Sequence, residues 1–575
     1  MTDNNIHYQP TLRDMVMLEA PFDVKVSPDG TWVAINARSA NWKEDRYDNV
    51  CYVCDTSKGT MRRVNQTGSV NQVEWAGAET LSLLKQSAGD EKAQIWLYEG
   101  LIGEGWQVTD HKTGVQWFKP FAGGFLFKAK HPERDEKKPR ADRFGKFTHF
   151  EQEESASALY YVGLEEMRQY QAQVRASAED EAKKLVSPVV ELSQLLDEPL
   201  ALQGVVPAPT HDAIYLNCWP RDDLVYYRDN RIYRITLDAP AALAGYLQRE
   251  RAKKAEKKDN DEAPAQEDKD EKKEDFSYLG AITRLNFPNS ATVTYVSPDG
   301  RKLLLSYPGR DNKMYTREDM WIVDVDAALH AAAVADALPQ MRNISASLDR
   351  TIMEQHWVSG GIFATYVDST AIRLARFGED GQIIPVDLQG IFATFSFHIS
   401  ASGHIGLVGA NAETYPEAYL AAPSADGTQW YVKRLSHFGQ TVKNWDLGTV
   451  ETIRWTSKDG TEIEGVLRKP ADFDPEKQYP LVFMVHGGPA WFSPAYLLTM
   501  DECYYYPAVQ FLNKGVLVLH PNYRGSIGQG QAFVELNVNN LGIGDLWDIE
   551  SAIEGLVAKG WVLSLVHISE PTRPY

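Results

Sequence analysis

One five-residue turn constrains this chain more than any other feature. Val26-Ser27-Pro28-Asp29-Gly30 recurs as Val296-Ser297-Pro298-Asp299-Gly300, followed by Thr31-Trp32-Val33-Ala34-Ile35-Asn36 in one place and Lys302-Leu303-Leu304-Leu305-Ser306 in the other. Proline presets φ, aspartate bonds its own backbone and glycine accepts positive φ, so each copy specifies strand, tight turn, strand. Looser copies place Ser402-Gly403 before 404–408 and Gly360-Gly361 before 362–366, and runs such as 231–235 and 320–324 read as closing strands. Repeated antiparallel units with Trp and Tyr between turns predict an all-β propeller over residues 1–440, a ring that leaves little exposed edge.

Residues 249–275 interrupt this pattern with 9 basic and 11 acidic side chains among 27. Such a segment buries too little apolar surface to offset its ordering entropy, so it reads as a solvated insertion. Cys51 and Cys54 form a Cys-x-x-Cys within a β-rich run, where residues three apart face opposite ways, so strand packing is expected. With four cysteines in 575 residues and a polar amino terminus, the chain reads as a cytoplasmic protein with free thiols. The net charge of −20 argues against nucleic acid and anionic membrane partners.

After about residue 440 the pattern changes. The runs 451–455 and 462–467 flank Ser457-Lys458-Asp459-Gly460 as a hairpin, and 479–485 and 515–519 are continuous apolar runs typical of strands buried on both faces. A helix is expected from Asp545 to Lys559, with Leu546, Ile549, Ile553, Leu556 and Val557 on its inner face and Asp548, Ser551 and Lys559 outside. Alternating strands and helices mean an α/β domain.

The most chemically specific signal is His486-Gly487-Gly488-Pro489, directly after the buried run ending at Val485. Glycines at a strand end present backbone N–H groups without an obstructing side chain, as stabilisation of a tetrahedral oxyanion requires. A plain glycine turn is the competing account. A second loop, Asn522-Tyr523-Arg524-Gly525-Ser526, begins 33 residues after Pro489, again at a strand end. Loops at the carboxyl ends of sheet strands are where α/β sites are built.

With Asp459-Gly460, Pro480 and Gly544-Asp545, these motifs resemble, in order and spacing, the start of the catalytic domain in the prolyl oligopeptidase family of serine peptidases, particularly its acylaminoacyl-peptidase and dipeptidyl-peptidase-like branch. The resemblance implies a propeller followed by a partial α/β-hydrolase domain, here 441–562, acting on short peptides without metal or organic cofactor. It also implies that His486, Gly487 and Gly488 supply one side of the oxyanion hole, with Asn522, Tyr523 and Arg524 in a loop bordering the site. Arg524 reads either as an anchor for a substrate carboxylate or as a structural pair. A glutamate pair holds the substrate amino terminus in dipeptidyl-peptidase members, which makes Glu153 and Glu154 candidates; an acidic surface run is the competing account.

The family's nucleophile motif, Gly-x-Ser-x-Gly, occurs nowhere in the 575 residues, so the triad is expected to be absent and the chain inactive. Residues 563–575 resemble the translation of a sequencing-library adapter and read as a non-native tail. Ser564, His567 and Ser569 therefore receive no catalytic role. A carboxylesterase of the same fold and a non-catalytic propeller scaffold are the alternatives. The sequence leaves blade number, oligomeric state and exo- or endopeptidase action open.

Overall fold

The computed structural model describes residues 8–569 except 102, 104, 131–156, 183–184, 186, 193–199, 221–228, 238–278, 310–314, 426, 428, 489 and 499–505. The charged segment 249–275 and the candidates Glu153 and Glu154 lie outside the described residues.

Contacts divide the chain into two compact units, one of Met1–Gln66, Pro308–Met320 and Asn343–Tyr575, the other of Thr67–Tyr307 and Trp321–Arg342. The second unit is built from antiparallel sheets of four consecutive strands. The first of these runs Ser69–Gly77, Thr80–Gln86, Ala93–Glu99, Trp106–Gln107, and two more sheets lying wholly within this unit follow the same sequential order. Their middle strands are buried almost continuously, as in Ser157–Gly163 and Ala213–Trp219. One core gathers Leu126, Leu159, Leu202, Ile214, Leu216 and Ile235, and another stacks Phe127 on Tyr160.

The recurrent turn forms as the sequence predicts, and side-chain hydrogen bonds explain its reuse. Ser27 Oγ donates to Asp29 at 2.6 Å and accepts the Trp32 N–H at 3.0 Å, while Gly30 takes φ +81°. Ser297 repeats this with Asp299 at 2.6 Å and Lys302 at 2.8 Å, around Gly300 at φ +75°.

The first unit contains the sequential sheet Ala20–Val26, Trp32–Asn41, Arg46–Asp55, Met61–Arg63, a larger antiparallel sheet between Ile352 and Arg434, and a mixed five-stranded sheet. Cys51 and Cys54 are both fully buried within Arg46–Asp55. In the mixed sheet, Thr449–Thr456 pairs antiparallel with Glu462–Lys469, the expected hairpin. Glu462–Lys469 pairs antiparallel with Leu517–Asn522, which pairs parallel with Tyr479–Phe483. Leu481, Phe483, Leu517 and Leu519 pack with Ala552 and Leu556 of the helix Gly544–Ala558. Each buried leucine or phenylalanine among these contributes about 1.5–3 kcal/mol of transfer free energy.

Segments from both sides of residue 440 share cores. Phe492, Ile527 and Val534 pack among Phe363, Leu374 and Phe397 of the larger sheet. Tyr496 Oη accepts the Ile372 N–H at 3.0 Å and donates to the Ala393 carbonyl at 2.6 Å.

One expectation is corrected. The helix 544–558 buries Asp548 and Ser551, assigned above to the outer face, and exposes Leu546. Its rotation is set by an ion pair from Asp548 rather than by the apolar count alone. Residues 563–569, set aside above as tail, extend the strand Val562–Ser569, which pairs parallel with Tyr479–Phe483 through a register break after Val562. An apolar, β-prone run beside an open sheet edge satisfies that edge's N–H and C=O groups whatever its origin.

Candidate active site

The strand Tyr479–Phe483 is followed by Met484, Val485 and His486, and the chain then emerges at Gly487 and Gly488, both exposed. Gly488 has φ +134°, a conformation that L side chains rarely adopt, and open space lies where a Cβ on Gly487 would project. Among the described residues none accepts the Gly487 N–H.

His486 turns the other way and is only 3% exposed. Its Nε2 lies 3.0 Å from Ser526 Oγ and its Nδ1 lies 3.1 Å from the Gly487 carbonyl. A carbonyl can only accept, so the network assigns the proton to Nδ1 and makes Nε2 the acceptor from Ser526 O–H. Burial lowers the His486 pKa to about 4, so the ring is neutral at pH 7. Below it, His520 is pushed well below the ordinary histidine range by burial and by the positive charge of Arg468.

Ser526 and His486 have the spacing of a nucleophile and its base. Ser526, however, is fully buried, and no substrate carbonyl can reach its hydroxyl. The pair is a latch between two loops.

The second loop is braced throughout. Asn522, at the end of Leu517–Asn522, accepts the Ser493 N–H at 2.7 Å and donates to the Ser493 carbonyl at 3.1 Å. The Tyr523 ring stacks on His486 with centroids 4.8 Å apart, and its hydroxyl donates to the His486 carbonyl at 2.8 Å. Arg524 is buried, bonded to Asp548 at 2.7 Å, Asp459 at 2.8 Å and Ser457 at 3.2 Å. Those bonds raise the Arg524 pKa further, and Arg524 holds the Asp459 carboxyl well below the usual carboxylate range. With its guanidinium committed to two carboxylates, Arg524 is the structural pair of the two readings above, not a free anchor.

Thus His486, Gly487, Gly488, Asn522 and Tyr523 converge in one place, with Arg524 behind them. Ser526, Ser493 and Asp548 were not predicted as partners. Ser526 closes the motif that drew attention to the loop, whereas nothing in the sequence ties Ser493 to Asn522.

No protein-family profile matches the chain. Among curated proteins it is similar to an uncharacterised peptidase of Bacillus subtilis, YuxL, with 24% identity over 257 residues, covering 44% of this chain and 37% of that protein. It is also similar to dipeptidyl-peptidase 5 of Trichophyton schoenleinii, with 25% identity over 270 residues, covering 46% of this chain and 34% of that protein. The matches thus span about a third of the length of these relatives. Among solved structures, the acylaminoacyl peptidase of Pyrococcus horikoshii superposes with a TM-score of 0.65 at 16% identity, covering 97% of this chain and 74% of that one. The fold is that of the prolyl oligopeptidase family. Within such a fold the exposed Gly487 and Gly488 lie at the end of a parallel strand, backed by Tyr523 and Ser526. Both of these sequence relatives are named as peptidases.

Proposed function

We propose that the whole protein is a serine peptidase that hydrolyses short peptides through an acyl-enzyme, with the loop at His486, Gly487 and Gly488 forming one side of its oxyanion hole. The observation that carries this reading is the exposed Gly487 N–H at the end of a parallel strand, with no described acceptor. The sequential four-stranded sheets support reading residues 1–440 as a β-propeller, and the mixed sheet supports reading 441–562 as part of an α/β-hydrolase domain; residues 563–575 are proposed as a non-native tail. The proposed substrate anchor for a peptide amino terminus is Glu153 with Glu154. The proposed compartment is the cytoplasm, which the buried free thiols Cys51, Cys54 and Cys218 support; among the described residues no helix is long and apolar enough to cross a membrane.

On this reading the nucleophile, its base and the acid partner lie outside these 575 residues, and the chain alone does not hydrolyse peptides. A fluorophosphonate probe should leave the chain unlabelled. It should label a serine in the product of the uninterrupted gene, and that product should turn over oligopeptides faster than simple esters. A covalently labelled serine within residues 1–562 would overturn the assignment.

A further inference from the structure

We infer that Tyr523 is a positioning residue that aims the Gly487 N–H by holding the carbonyl of His486, an inference that rests on the oxyanion reading above. The peptide joining His486 to Gly487 is planar and trans, so its C=O and N–H point in opposite directions. Fixing one end aims the other. The Tyr523 hydroxyl donates to the His486 carbonyl at 2.8 Å, which directs the Gly487 N–H away from Tyr523. Gly487 has no Cβ to resist rotation of this peptide, and Gly488 beyond it is equally permissive, so the direction must be imposed from outside the loop.

Tyr523 is suited to impose it. Its ring is only 6% exposed and stacks on His486 at an interplanar angle of 21°. Its carbonyl accepts the Ser526 N–H at 3.0 Å, and the Ser526 hydroxyl meets His486 Nε2 at 3.0 Å. The two loops are therefore joined at ring and backbone, and the phenol hydroxyl is the one of these groups that touches the peptide to be aimed. The preorganised donor then meets a developing oxyanion without reorganising, which is the condition for effective electrostatic stabilisation.

The sequence supplies a clean test, because His-Gly occurs once in the 575 residues. Labelling histidine carbonyl carbons with 13C and glycine nitrogens with 15N isolates a single amide, that of His486 and Gly487. In the unmutated chain the His486 carbonyl should resonate downfield, as an acceptor from a hydroxyl. In Tyr523→Phe, which keeps the ring, the carbonyl should move upfield and the cross-peak should shift or double while circular dichroism stays native. Ser526→Ala, which spares the Tyr523 hydroxyl, should move it less. An unchanged cross-peak in Tyr523→Phe overturns the positioning role. So does a carbonyl without the downfield displacement in the unmutated chain, a result available even if the variant does not fold.

The same variant in the product of the uninterrupted gene separates this inference from the reading beneath it. The expected loss is in kcat, up to about 10²-fold, with KM unchanged. A shifted cross-peak with kcat intact would overturn the oxyanion role of Gly487 and leave the positioning role of Tyr523 standing.

Discussion

Asp548 receives both the side chain and the backbone of Arg524: its carboxylate lies 2.7 Å from the guanidinium and accepts the Arg524 N–H at 2.8 Å. Asp548 is fully buried in the helix Gly544–Ala558, so this pair fixes the helix against the loop 522–526 and explains why an acidic residue occupies the inner face.

Breaking such a pair leaves an uncompensated buried charge. Asp548→Ala should cost about 3–5 kcal/mol, read as a lowered denaturant midpoint. Asp459→Ala should cost clearly less, since Asp459 is partly exposed and water can replace it. Equal losses would contradict the burial argument.

Protonation of His486 should couple to stability. Its folded pKa, about 4, lies below its ordinary value of 6.5, so between these values the unfolded chain binds the extra proton. Its contribution is fully present above about pH 6.5 and is lost as pH falls towards 4, a change of about 3 kcal/mol. His520 acts in the same direction. Unfolding free energies measured across this window should show a flatter pH dependence in His486→Gln than in the parent chain.

Gly525 and Gly460 both have positive φ, +90° and +87°, but differ in surroundings. A Cβ on Gly525 would collide with the side chain of Asn537, whereas one on Gly460 meets nothing within 4 Å. Gly460→Ala should cost about 1–2 kcal/mol from backbone strain alone. Gly525→Ala should cost more, with thermal unfolding of the two variants giving the comparison.

The Asn522 amide both accepts from and donates to the Ser493 backbone. Asn522→Leu leaves two buried polar groups unpaired and should lower stability by about 2 kcal/mol or more. Hydrogen exchange at the Ser493 amide should accelerate in the same variant; unaltered protection would mean that another group holds that segment.

Local chemistry was legible from the sequence. Ser27, Pro28, Asp29 and Gly30 carry their own hydrogen-bonding partners within a few residues, so the turn and the hairpin it joins follow from the residues themselves. The glycines after Val485 likewise announce a strand end able to present backbone N–H groups. Only the tertiary structure decided which groups those loops lean on. Asp548 is buried because Arg524, 24 residues earlier in the chain, reaches it, and Leu546 is exposed because that pair sets the rotation of the helix. The same holds for the Tyr523 hydroxyl on the His486 carbonyl, 37 residues away. Hydrophobic periodicity reports the average environment of a face, whereas the direction of a single peptide depends on one distant donor whose position exists only once the strands have paired.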